Sequence, residues 1–578
     1  MPEQPMSEPI YEILVEHNVP IPMRDGTLLR ADVYRPQTEG RYPVLVERVP
    51  YELSQRCKGY GEYYARRGYV VVGQNVRGRF ASQGRFHLGR DDAWGANRDG
   101  YDTTEWAATQ SWSNGRVGML DGSYSGLTQY MVAPTRPPHL KALFVREGPS
   151  DLYCDTSYRG GAYLLKFNLE WALQQTLAVL RHESAPSGME QACHRLEKAV
   201  EEIDSWYRHL PLKSCPPLEG LADWYFETLD YPDDGPYWWP TNLAHKYNEV
   251  DVPILHLGAW FDPFLDSTIR SFQGIRAKGR SEACRKNQRL IIGPWIHGPA
   301  NVGKREVGEL DFGPEAEFDL YGYRLRWYDY WLKGLNNGVM DMAPLRVFLM
   351  GENRWLDLES WPPEEVTYRP FYFREGKGRG EASLNNGGLA FTPAEEAERP
   401  DSFLYDPEDP VPSLVFYPNL GPRDHRAVEG RMLTYTSQPL ESDLTVIGPV
   451  KAVLYGLSSA ADTDWIVRLC DVWPDGRSMS VCDGILRARY RNSLERPELL
   501  VSGQIYRFEI DLWATAQVFK AGHCLRVEVA SSDFPRYDRN LNTGGPFALE
   551  ARGQVAVNTV FHDVRRPSHL LLPVMPGR

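Results

Sequence analysis

Long hydrophobic runs are missing from this chain. None of its apolar stretches approaches the ~20 residues a helix needs to cross a bilayer, which excludes a protein built on membrane-spanning helices. Basic charge is also in short supply: 64 Lys and Arg stand against 77 Asp and Glu, a net charge of −13. Nucleic acid phosphates need a basic face, so nucleic acid is excluded as a partner. Internal repeats and low-complexity tracts are absent as well, which removes solenoids and disordered linkers from consideration.

Cysteine is sparse. The eight cysteines are scattered through 578 residues without paired short spacings, so neither a disulfide framework nor a zinc site is indicated. Cys193 and His194 are neighbours in the chain, but adjacent residues point in different directions on a helix and no second ligand pair follows. No metal and no other cofactor is expected. The opening residues, MPEQPMSEPIYEILVEHNVPI, lack a basic segment followed by an apolar core, so no secretory signal is read in them. A cytoplasmic location fits this cysteine usage. The expected partner is a small molecule, and the sequence accommodates a homo-oligomer as readily as a monomer.

What is present is a change of texture along the chain. A length of 578 residues exceeds what one hydrophobic core organises, so two or three domains are expected. Early on, short β-branched runs alternate with helical stretches: Val44-Leu45-Val46, GYVVVGQNV, RVGML and ALFVREG. Continuous apolar runs of this kind suit strands buried on both faces of a parallel sheet, an α/β core. From about residue 150 the pattern turns to amphipathic helices such as YLLKFNLEWALQQTLAVLRH. Two more buried-strand runs, VPILHLGAWFD and QRLIIGPW, then return the chain to the sheet, so the helical part is an inserted cap. After Gly334 the segment PLRVFLMGENRWLDLESWPP opens a third texture, short strands separated by Gly, Pro, Asp and Asn, as in a β-sandwich. The expected division is an α/β domain over 1–148 and 248–344, a helical cap over 149–247, and a β-sandwich over 345–578.

Chemistry concentrates in RVGMLDGSYSG, an apolar strand running into a glycine-flanked serine and then the helix-like LTQYMVA. A nucleophilic serine held in a strained strand-to-helix turn has this order. The usual motif has glycine two residues before the serine, where this chain has Asp121; Gly122 and Gly126 compensate in part. Asp262 in GAWFDPF and His297 in IIGPWIHG each end an apolar strand, and the order Ser, Asp, His matches α/β-hydrolases. Ser123 is the candidate nucleophile, His297 its base, and Asp262 the group that orients the base. Ser125 is the poorer candidate because its side chain falls on the helix side of the turn.

The chain resembles the cocaine-esterase family of serine hydrolases, whose relatives include glutaryl-cephalosporin acylases, α-amino acid ester hydrolases and X-Pro dipeptidyl-peptidases. The resemblance is carried by ERVPYE, GYVVVGQNVRGRFASQGRF, DGYDTTEWAATQSWSNGRVGM, GSYSG, GAWFD, GPWIHG, YDPEDPVPSL, DGRSMSVCDGILRARYR and SSDFPRYDRNLNTGG, which span nearly the whole chain. It implies an α/β-hydrolase domain with an inserted helical cap and a C-terminal β jelly roll. It also implies an oxyanion hole formed by the Tyr51 hydroxyl and the backbone N–H of Tyr124, and an acyl pocket lined by Trp171 and Phe264. Two departures stand out: Asp121 where the family has glycine, and Asn75 where QDVRG is common.

Family members that bind a free α-ammonium carry acidic residues just after the catalytic aspartate, because a buried cation needs a carboxylate. Here Pro263, Phe264 and Leu265 follow Asp262, which tilts the expectation towards uncharged acyl or aryl esters, although Asp155 in the cap is an alternative source of charge. The substrate is thus expected to be a small-molecule ester. An amide is the alternative, cleaved by an X-Pro dipeptidyl-peptidase or a glutaryl acylase. A noncatalytic binding protein on a degenerate hydrolase fold is the reading from another class.

Overall fold

The computed structural model describes residues 5–92, 95–185, 187–376, 383–416 and 420–576. Residues 1–4 and 577–578, which the opening stretch and the domain limits above include, lie outside it.

The valine- and leucine-rich runs form one ten-stranded sheet. In chain order its strands are β1 (Ile13–Pro22), β2 (Leu28–Pro36), β3 (Tyr42–Val49), β4 (Val70–Asn75), β5 (Ser113–Met119), β6 (Leu140–Arg146), β7 (Ile254–Phe261), β8 (Arg289–Ile296), β9 (Leu345–Leu349) and β10 (Arg354–Leu358). Their order across the sheet is β1-β2-β4-β3-β5-β6-β7-β8-β9-β10. From β4 to β9 every pairing is parallel, and only β1, β2 and β10 run antiparallel to their neighbours.

Side chains alternate between the two faces of a strand, and both faces are covered. Val44 and Val46 pack on one side with Tyr130 and Ala107, which lie on helices α1 (Asp99–Thr109) and α2 (Tyr124–Val132). Leu45 and Val71 face the other side, against Tyr64 and Trp327. Burial on both faces explains why these strands read as unbroken apolar runs.

Between β6 and β7 the chain leaves the sheet to form α3 (Leu165–Arg181), α4 (Glu190–Glu201) and α5 (Asp223–Asp230). Helix α3 buries Leu165, Leu169, Leu173 and Leu177, a four-residue spacing that puts one apolar stripe against the core. Beyond β7 come α6 (Leu265–Lys278) and, after β8, α7 (Leu320–Tyr328).

One segment departs from its sequence reading. PLRVFLMGENRWLDLESWPP, whose texture suggested the start of the sandwich, forms β9 and β10 and extends the first sheet, with β9 parallel to β8. Buried Leu345, Val347 and Phe348 share one hydrophobic cluster with Leu290 and Ile292 and with Ile447, Ala516 and Val518 of the C-terminal strands. The hairpin is therefore shared core, which a change of local texture does not reveal. Eleven of the remaining strands form a second β arrangement with its own core around Trp465, Phe508, Val527 and Leu570.

Candidate active site

Three strand ends converge at the C-terminal edge of the parallel sheet, where open α/β sheets place their sites. Strand β5 delivers Ser123, β7 delivers Asp262 and β8 delivers His297. Ser123 has φ +60° and ψ −125°, and Asp121 has φ +78°. A non-glycine residue with positive φ is strained, and here the turn lifts the Ser123 hydroxyl out of the sheet. Gly122 and Gly126 make the turn sterically feasible. A Cβ on Gly122 would lie 2.0 Å from the Arg146 carbonyl oxygen, and one on Gly126 would lie 2.6 Å from the Gly148 Cα.

The three side chains form a continuous hydrogen-bonded line. Ser123 Oγ is 3.0 Å from His297 Nε2, and His297 Nδ1 is 2.7 Å from Asp262 Oδ1. His297 and Asp262 are buried, whereas Ser123 is half-exposed. Burial pushes the His297 imidazole down to about 4, a fall that Glu147 opposes and Arg146 and Arg56 reinforce. Burial pushes the Asp262 carboxyl up, against the Phe264 N–H, Arg146 and Arg159. The imidazole N–H at 2.7 Å favours the carboxylate form in the same way.

Asp121, which occupies the place of a glycine, is anchored by three guanidinium groups. Arg146 and Arg324 reach Oδ1 at 3.2 Å, and Arg56 reaches Oδ2 at 3.1 Å. Burial works to raise its pKa, but the three arginines outweigh it and hold the carboxyl well below the usual range. Ser125 points inward, donating to Glu47 Oε1 at 2.6 Å. Asn75 donates through Nδ2 to the Tyr51 carbonyl at 2.7 Å, a bond that an ionised aspartate has no hydrogen to make.

The side chains implied by resemblance cluster around this line. Trp171 donates from Nε1 to the Tyr51 hydroxyl at 3.4 Å and stacks on Tyr124 at 6.3 Å between ring centroids. Tyr124 is the first residue of α2, where a backbone N–H has no partner within the helix. Phe264 lies edge-on to His297 at 5.3 Å and to Phe167 at 6.0 Å. A cavity of about 470 Å³ opens beside Tyr51, lined also by Arg56, Phe80, Gln175, Pro299 and Tyr321. A smaller one of about 100 Å³ lies behind Asp262, between Phe167, Trp260, Phe416 and Trp513.

Asp155 is not free to meet a substrate cation. It pairs with Arg270 at 2.9 Å and accepts the backbone N–H groups of Ser150 and Asp151. Among the described residues, Glu147, Asp262 and His297 form a group whose potential metal-ligand atoms lie within 4.8 Å of one another. Asp262 Oδ1 is engaged by His297 and Glu147 Oε2 by Arg146 and the Gly298 N–H, whereas Glu147 Oε1 is buried without a hydrogen-bond partner among the described residues.

Sequence reasoning missed Glu147, Arg146 and Arg79. The first two carry a readable signal, a charged pair ending the buried run ALFV. Arg79 is 3 % exposed and bonds only carbonyl oxygens, those of Pro50 at 3.3 Å and Gln175 at 2.7 Å. No carboxylate pairs with it among the described residues, and it packs 5.0 Å from the Phe86 ring.

Comparison with known proteins settles the family. Residues 25–299 match the X-Pro dipeptidyl-peptidase (S15) family, and residues 337–571 match the X-Pro dipeptidyl-peptidase C-terminal non-catalytic domain. Cocaine esterase of Rhodococcus sp. (strain MB1 Bresler) is 35% identical over 97% of this chain and 98% of its own. The chain belongs to the S15 family of hydrolases. Among solved structures, an α-amino acid ester hydrolase superposes on this S15 hydrolase with a TM-score of 0.81 and 26% identity, covering 99% of this chain and 98% of its own. An aminopeptidase from a marine sediment Thaumarchaeota archaeon shares the fold, with a TM-score of 0.81 and 24% identity over 100% and 99% of the two chains. No helix among the described residues is long and apolar enough to cross a membrane.

Proposed function

We propose that this S15 hydrolase cleaves carboxylic esters through an acyl-enzyme on Ser123. The observation that carries the reading is the Ser123–His297–Asp262 line, at 3.0 and 2.7 Å. Ser123 Oγ attacks the ester carbonyl carbon while His297 Nε2 takes the hydroxyl proton. Negative charge on the former carbonyl oxygen is received by the Tyr51 hydroxyl and the Tyr124 N–H. As the intermediate collapses, the C–O bond to the leaving group breaks and His297 returns the proton to the departing alcohol. Water then repeats the sequence on the acyl-enzyme, releasing the acid and Ser123.

Three features favour an uncharged acyl group over a free α-ammonium. The three residues after Asp262, Pro263, Phe264 and Leu265, carry no acid, Asp155 is engaged by Arg270, and Arg79 places an uncompensated cation beside the aromatic cluster of Phe86, Trp171 and Tyr124. The test compares kcat/KM for a neutral aryl ester, an X-Pro anilide and a glutaryl amide. Preferred turnover of the ester supports the reading, whereas preference for either amide assigns the site to that chemistry.

Two further results follow. Tyr51→Phe removes one oxyanion donor and is expected to lower kcat by roughly 10²- to 10³-fold with little change in KM; steady-state kinetics on the neutral ester checks this. The base works only when neutral, so the rate is full above the pKa of His297 and falls as pH drops through it. Because burial depresses that pKa, the acid limb of kcat/KM should have its midpoint below the ordinary histidine value of about 6.5. A pH–rate profile measures it.

A further inference from the structure

The line of three leaves a second carboxylate unexplained. Glu147 follows directly on strand β6, is fully buried, and has φ +48°, a conformation strained for any residue but glycine. Its backbone N–H donates to the Leu257 carbonyl of β7 at 2.7 Å, which fixes the residue between the strands that deliver Ser123 and His297. Its Oε2 accepts the Gly298 N–H at 2.8 Å, pairs with Arg146, and lies 3.6 Å from His297 Nδ1. Burial raises the pKa of this carboxyl, and the two donors that converge on Oε2, from Arg146 and Gly298, work against burial to favour the ionised form.

We propose that Glu147 is a positioning residue for His297. Through Gly298 it fixes the turn that carries the imidazole, and its charge stabilises the imidazolium that forms when Ser123 gives up its proton. This role requires His297 to be the base, as proposed above. Asp262, at 2.7 Å, is the acceptor for Nδ1–H; Glu147 stands outside hydrogen-bond reach and acts by charge and by tether.

The groups that face His297 are Asp262 from β7, Glu147 and Arg146 from β6, Asp121 from the serine turn, and Arg56 from the segment after Tyr51. Arg146 and Arg56 disfavour the imidazolium, as burial does, and Glu147 works against all three. Removing its charge while keeping its shape therefore makes the imidazolium harder to form.

The test is Glu147→Gln, which can still accept from Gly298. The account expects kcat to fall about 10-fold with KM unchanged, and the acid limb of kcat/KM to move about one unit to lower pH. Glu147→Asp keeps the charge on a shorter arm, farther from the imidazole, and should bring the limb part of the way back towards wild type while kcat stays reduced. If Glu147→Gln does not fold, Glu147→Asp alone carries the test: an acid limb displaced to lower pH by less than about one unit, with unchanged KM, supports the role, and a wild-type limb overturns it. For Glu147→Gln, an unmoved limb overturns the proposal whether or not kcat falls, because a purely structural residue gives that result. A wild-type profile with no acid limb overturns the His297 assignment itself, and this inference with it.

Discussion

Ser123→Ala should abolish both ester turnover and labelling by a fluorophosphonate. The scale for losing the nucleophile of such a triad is about 10⁶-fold in kcat, the residue of catalysis coming from the oxyanion hole and binding alone. The geometry makes the comparison clean. Ser123 is half-buried at the head of α2, and among the described residues its side chain makes no hydrogen bond other than that to His297. The turn is fixed instead by backbone bonds from the Ser123 N–H to the Arg146 and Glu147 carbonyls at 3.0 and 3.1 Å, which alanine keeps. Melting temperature should therefore stay close to wild type. Ser125→Ala is the matched control: it loses a buried bond to Glu47 and is expected to affect stability while retaining the fluorophosphonate label. Intact mass after labelling reads both variants.

Asp262→Asn should cost about 10⁴-fold in kcat, the scale seen when the orienting aspartate of a triad becomes an amide. The carboxylate now accepts from His297 Nδ1 at 2.7 Å, which leaves the Nε2 lone pair directed at Ser123. An amide can turn its NH₂ to Nδ1 and so favour the tautomer that carries its proton on Nε2, where it cannot receive the serine proton. The effect on stability has the opposite sign. Burial raises the Asp262 pKa above its unfolded value, so the ionised form costs folding free energy at high pH, and a neutral amide removes that cost. The expected variant is nearly inactive and at least as stable as wild type at alkaline pH. Circular dichroism melts and single-turnover kinetics test the two halves separately.

Much of this was legible in the sequence because the relevant signals are local. Strands β3 to β8 read as apolar runs since both faces are buried, and helix α3 shows its stripe at four-residue spacing. The serine turn was marked by its glycines, and Asp262 and His297 by the ends of apolar runs, though only the folded chain reveals that these ends meet. What escaped is what depends on packing between distant segments. Residues β9 and β10 read as sandwich because their local texture is that of a hairpin; their place in the first sheet is set by contacts with Leu290 and Ile447. Asp121 reads in the sequence only as a departure from the family's glycine, because its three arginine partners come from the distant positions 56, 146 and 324. Asp155 looked available, and only the fold commits it to Arg270. Glu147 had no motif of its own and becomes notable through its 3.6 Å approach to His297.

The most direct test of the central claim is to trap the acyl-enzyme. The protein is mixed with a neutral activated aryl ester, quenched in acid within the first turnover, and analysed by intact mass and peptide mapping. The account predicts one acyl group per chain, added to the peptide containing Ser123 and absent from Ser123→Ala. An acyl group on any other residue, or full turnover by Ser123→Ala, would contradict it.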